Sequence, residues 1–145
     1  MTTPSDSGLL QRGALSSAWT FVVLNMLLRD VHELFRPGLL AEMMTGTVNG
    51  IEMTEGFLLG AAAVVEIPVL MVVLAWVLSA RLYRRLTLAL VPLVVAATLV
   101  TAVGDLDDAF FAAVEVAALA FAAWTAWRWP ARSSSDFAQP NAPAT

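Results

Sequence analysis

The residues with the greatest chemical reach are gathered in N-M-L-L-R-D-V-H-E, Asn25 to Glu33. The stretch runs straight on from the hydrophobic W-T-F-V-V-L, so Arg29, Asp30, His32 and Glu33 stand where a membrane helix would carry Leu and Val. Two further carboxylates, Glu66 and Glu115, lie inside later apolar segments. An ionisable group at the centre of a membrane helix costs about 2.5–3.5 kcal/mol on insertion scales, so such groups pair, line a cavity or mark a functional site. Plotted at 100° per residue, Asn25, Arg29 and His32 share one face, with Glu33 at its margin and Asp30 pointing away toward the headgroup region. Arg29 and Glu33 are spaced to pair along the helix.

Charge arithmetic sharpens the expectation. Arg29 is the one permanent cation facing Glu33, Glu66 and Glu115, and a single guanidinium does not neutralise three carboxylates. A bound proton, a protonated His32 or a cationic ligand restores the balance. The leading reading is an outward-facing polar pocket for a small-molecule ligand or protons. Arg29, Glu66 and Glu115 form its base, and Asn25, His32 and Glu33 its rim. Arg29 is then expected within hydrogen-bonding or one-water reach of Glu66 or Glu115. The competing reading is a buried Arg–Glu network that fixes helix register in an accessory subunit of a larger membrane complex. An enzyme acting on lipid or quinone ranks third.

Other chemistry fits poorly. A di-iron bundle needs Glu-x-x-His pairs on two helices, and the chain has 1 His. Haem between two histidines would need another subunit. With no Cys, thiol redox chemistry, disulfides and thiolate metal sites are excluded. No glycine-rich phosphate loop follows a strand, and no Ser/His/Asp order points to a hydrolase. No metal and no cofactor are expected, and the balance leans away from an enzyme. All 8 basic residues are Arg, and a net charge of −4 offers no basic stripe for nucleic acid.

The elements that must position these residues are long and apolar. The 145 residues are 59% hydrophobic and 14% charged, with mean hydropathy +0.74, whereas soluble domains carry roughly 25% charged residues. The expected fold class is all-α: a polytopic membrane four-helix bundle with a short interfacial helix in the first outer loop. Residues 1–13 read as a polar N-terminal segment without the basic region of a cleavable signal. Residues 14–129 hold the four-helix transmembrane domain, with helices over about 14–34, 57–78, 86–103 and 109–129. Residues 130–145 read as a disordered C-terminal tail.

Pro37-Gly38 ends the first helix, and Leu39 to Thr45 reads as a short helix lying along the membrane surface. Thr54 caps the second span, and Pro68 kinks it beside Glu66. Gly56, Gly60 and Ala63 leave a smooth surface for close helix approach. A-R-L-Y-R-R reads as a link, the third span as a packing helix kinked at Pro92, and Asp107 or Asp108 as a cap for the fourth. Ala112, Ala118 and Ala122 share the face of Glu115. Four crossings place Arg12, Arg81, Arg84, Arg85, Arg128 and Arg132 on one side, against Glu42, Glu52, Glu55, Asp105, Asp107, Asp108 and a single Arg36. The positive-inside rule makes this a multi-pass inner (plasma) membrane protein with both termini cytoplasmic. Trp76, Trp124, Trp127 and Trp129 fall near that same interface. The expected partners are the lipid bilayer and a homo-oligomer or larger membrane complex.

The pattern R-D-V-H-E-L-F-R-P-G, E-I-P and the acid in A-V-E-V resembles small uncharacterised bacterial four-helix membrane proteins of the domain-of-unknown-function type, broadly DoxX-like. The likeness covers about residues 14 to 129. It implies a four-helix integral membrane fold and carries no activity. The Ala- and Arg-rich, Lys-free composition points to a bacterium of high genomic G+C.

Overall fold

The protein, described by a computed structural model over residues 4–48, 50–101 and 106–129, is all-helical apart from one small hairpin. Its elements are α1 (Pro4–Glu33), α2 (Leu39–Thr45), β1 (Thr47–Val48), β2 (Ile51–Glu52), α3 (Glu55–Val77), α4 (Ala80–Thr101) and α5 (Leu106–Arg128). Three of them, α3, α4 and α5, are long and apolar enough to cross a membrane. α1 is longer, 30 residues, but Ser16, Ser17, Thr20, Asn25, Arg29 and Asp30 interrupt its apolar run.

All four long helices begin earlier than expected, two of them by more than a turn. α1 starts at Pro4 rather than near Ala14, with proline at a position where its missing N–H costs nothing. The extra turns carry Arg12, whose guanidinium donates to the carbonyls of Ala75 and Leu78, the latter at 2.9 Å. Those carbonyls belong to the last turn of α3 and its cap, which lack partners within the helix. α4 starts at Ala80 rather than Leu86, because Tyr83 is fully buried and its hydroxyl donates to the Met71 carbonyl at 3.0 Å. Docking Tyr83 pulls Arg81, Arg84 and Arg85 into helix and shrinks the link to Leu78 and Ser79.

Other elements match the local chemistry. Thr54 caps α3, its hydroxyl accepting from the Phe57 N–H at 3.2 Å. α3 continues through buried Pro68. α2 ends at Gly46 in the left-handed region (φ 77°), which favours glycine. Between α2 and α3 the chain forms an unexpected antiparallel hairpin, Thr47 opposite Glu52 and Val48 opposite Ile51. Gly50 has φ 78°, and an Asn-Gly dipeptide between β-branched residues is a strong hairpin signal. The tail from Pro130 and the turn at Gly104-Asp105 lie outside the described residues.

α1 packs on α5 and α3, and α4 packs on the same two helices. Leu15, Trp19, Val22, Met71, Tyr83, Val94, Leu119 and Ala126 fill the centre with no exposure. Long-range contacts set the directions. Arg12 meets the end of α3, Ser16 donates to the Val72 carbonyl at 3.1 Å, and Arg84 reaches the Trp127 carbonyl at 3.4 Å. One end of the molecule thus gathers Arg12, Arg84, Arg128 and Trp129, with Arg12 over the Trp129 ring and Arg128 over the Trp124 ring. Arg29, Thr101 and Asp108 meet at the other.

Tyr83→Phe tests the α4-to-α3 bond. A buried hydroxyl bond contributes about 0.5–1.5 kcal/mol net, so the variant should melt at lower temperature in detergent by a corresponding shift. An unchanged melt would mean that the Met71 carbonyl is served by its helix alone.

Candidate functional site

The densest polar chemistry lies where the C-terminal part of α1 meets the α4–α5 connection. Arg29 lies on α1's inner face, which also presents buried Leu15, Trp19, Val22 and Asn25. Its Nε–H donates to Asp108 Oδ1 at 3.0 Å, with both side chains nearly enclosed (11% and 6% exposed). Its Nη1 donates to Thr101 Oγ1 at 3.1 Å and its Nη2 to the Thr101 carbonyl at 2.7 Å. A guanidinium offers five N–H donors in a rigid fork, and here the fork bridges two helix ends. The Thr101 carbonyl ends α4, where partial negative charge favours a cation. Asp108 lies in the first turn of α5, where partial positive charge favours an acid.

A second layer lies deeper. Asn25 donates from Nδ2 to the Phe111 carbonyl at 3.0 Å. Glu115 is 1% exposed, and its Oε1 is hydrogen-bonded to the Thr98 hydroxyl. The same hydroxyl also bonds the Val94 carbonyl at 3.0 Å, so α4 and α5 are joined by a polar bond within an apolar contact. Ala112 and Ala122, on the Glu115 face, are buried as their size allows. Toward the end of the molecule, His32 Nε2 lies 3.0 Å from Asp107 Oδ2, with both side chains about half exposed. The His32 ring tilts against Phe111 at 5.8 Å.

The expected constellation is therefore brought together only in part. Asn25, Arg29 and His32 all face α5, while Glu115, on α5, faces α4. Arg29 bonds Asp108 and Thr101 directly, and neither glutamate. Glu33 pairs with Arg36 at 3.5 Å and lies beside Asp108, rather than bonding Arg29. Glu66 is elsewhere: it is exposed on α3, without a hydrogen bond or ion pair among the described residues. Asp30, expected at the headgroups, is exposed and lines a shallow groove of about 140 Å³ with Val23, Met26, Leu27 and Val65. Among the described residues no three His, Cys, Asp or Glu side chains gather as a metal site.

Thr98 and Thr101 are partners that the sequence pattern did not single out, and Asp108 was expected only as a helix cap. A signal was present. Asp108, Ala112, Glu115, Leu119, Ala122 and Ala126 are the buried positions of α5, alternating steps of four and three, so Asp108 shares Glu115's inward face.

Arg29→Ala should destabilise strongly, since removing one partner of a buried pair typically costs about 3–5 kcal/mol. Glu66→Gln should leave the melt near that of the parent, because no described residue bonds Glu66. Thermal unfolding of both in detergent decides; equal small shifts would show that Arg29 reaches solvent and leaves Asp108 satisfied by other groups.

Over residues 10–135 the chain matches a family of unknown function, DUF6326, and it belongs to that family. The matched span runs from α1 through α5 and contains every residue of the polar cluster. No curated protein and no solved structure matches the chain.

Proposed function

We propose that this DUF6326 member is a non-enzymatic integral protein of the bacterial inner membrane, serving as a structural or accessory subunit of a larger membrane assembly. One observation carries the reading: the Arg29 fork is closed onto this chain's own Asp108 and Thr101. A cation so engaged works as a register lock between helix ends and offers a ligand little. Glu115 and Asn25 are likewise bonded to α4 and α5.

α1 is the fourth span on this reading. Arg12 and Arg29 delimit its apolar stretch, about 25 Å apart at 1.5 Å per residue. Both arginines are engaged, so their polarity does not oppose burial of the segment between them. The arginine-bearing end faces the cytoplasm, with both termini there, in accord with the positive-inside rule. Exposed Trp76, Trp124 and Trp127 suit the headgroup level at that end. α2, with Leu40, Met43 and Met44 exposed, lies along the opposite interface. The DoxX-like pattern of R-D-V-H-E-L-F-R-P-G and E-I-P agrees with four spans.

The runner-up is an outward-facing site for a small ligand or protons. The groove beside Asp30 favours it, with Asp30 supplying the polar group in place of a joint Arg29–Glu66–Glu115 base.

Reporter fusions test the topology. Fusions at residue 145 and between Arg81 and Arg85 should report cytoplasm, and one at Gly46 the periplasm; one compartment for all three would defeat the four-span reading. Native mass spectrometry of gently extracted protein separates the two functions. Added protein mass supports the subunit, and a retained small molecule with the chain alone supports the ligand site.

A further inference from the structure

Glu66 is the one feature that the register lock leaves unexplained. It lies at the midpoint of the 23-residue α3, about 16 Å from either end at 1.5 Å per residue. At 100° per residue, Leu59, Ala62, Leu70, Val73 and Val77 fall within about 40° of it. Those large neighbours are open: Leu59 is 73% exposed, Leu70 50%, Val73 56% and Val77 72%. The buried face of α3, carrying Pro68, Met71 and Ala75, is on the opposite side of the helix. The carboxyl therefore stands at the centre of the most outward apolar face. α3 is also an apolar span by length and composition.

Among the described residues no cation is bonded to that position. Arg29 is engaged with Asp108 and Thr101, and Arg12 with the carbonyls of Ala75 and Leu78. Arg81, Arg84 and Arg85 lie in the first turns of α4, at the opposite end of that helix from Thr101. Besides Arg12, α1 turns Asp30 toward α3, lining the groove beside Val65, and it is itself an acid. From Leu86 to Thr101, α4 carries no ionisable side chain. Ionised and unpaired at the centre of a membrane helix, an acid is expensive; as the neutral acid it keeps only a hydroxyl and a carbonyl to satisfy.

We infer that Glu66 is a proton-binding carboxyl open to the bilayer interior, a site that a proton or a lipophilic carboxyl reagent reaches from the membrane phase rather than from water. The inference rests on the membrane reading above. Its chemistry is directly testable with a carbodiimide. The acid proton passes to a carbodiimide nitrogen while the carboxylate oxygen bonds the central carbon, giving an O-acylurea. Migration of the acyl group from oxygen to nitrogen then leaves a stable N-acylurea, and nothing departs.

The experiment treats membranes containing the full chain with dicyclohexylcarbodiimide or with a water-soluble carbodiimide, followed by an alkaline wash and peptide mass spectrometry. The expected result is a chain retained in the membrane, with the Glu66 peptide modified by the lipophilic reagent alone. Glu66→Gln should lose that adduct. Glu115, equally embedded in its helix but enclosed, should stay unmodified. A retained chain with Glu66 untouched by either reagent would overturn the site, because a partner helix then covers it. Modification by the water-soluble reagent would also overturn it, by placing Glu66 on a water path. Loss of the chain in the wash would overturn the membrane reading itself.

Discussion

A guanidinium that is nearly enclosed must find acceptors within reach, and at Arg29 those acceptors come from two other helices. The Asp108 carboxylate, the Thr101 hydroxyl and the Thr101 carbonyl fix where α1, α4 and α5 sit relative to one another at this end. The bond to Asp108 is charge-assisted, and such bonds are about twice as strong as neutral ones. The geometry also matches the helix dipoles, with the cation at the C-terminal end of α4 and the acid in the first turn of α5. A hydrophobic contact alone tolerates sliding of one helix along another. A forked donor does not, since displacement by one residue breaks its bonds.

The rest of the molecule repeats this device with weaker parts. Arg12 ties α1 to the carbonyls that end α3, Ser16 reaches Val72, and Tyr83 reaches Met71 from α4. Each bond places a donor on a carbonyl of α3's inward side, so α3 is held from the arginine-bearing end. Among the described residues its other half receives no such bond from a side-chain donor. An added Cβ at Gly56 or Gly60 would meet nothing within 4 Å, so the small-residue surface there is not used inside the chain. Glu66 lies just beyond this unheld half, which is why α3 can present a carboxyl outward without disturbing the interior.

Much of this was legible in the sequence, and the misses have physical causes. Thr54 as a cap and the short helix from Leu39 to Thr45 follow from local chemistry and are present. The early start of α4 was not visible, because three arginines within six residues look like a solvated link. Only the burial of Tyr83, a tertiary event, makes them helical. Depth alone placed Arg29 beside Glu66 and Glu115. Depth says nothing about which way a helix face turns, and α3 turns Glu66 away from α1. Asp108 was read as a cap because it opens α5. Its inward phase with Glu115 was the stronger clue to its role.

The central claim is that Arg29 and Asp108 act as one unit in holding the helices together. A double-mutant cycle measures this directly, comparing unfolding of Arg29→Ala, Asp108→Ala and the double variant with the parent in one detergent. Residues in direct contact typically show coupling of about 0.5–3 kcal/mol. The account predicts a coupling within that range, with the double variant less damaged than the sum of the two single changes. Strict additivity would show that the two side chains stabilise the protein independently, and the register lock would not exist.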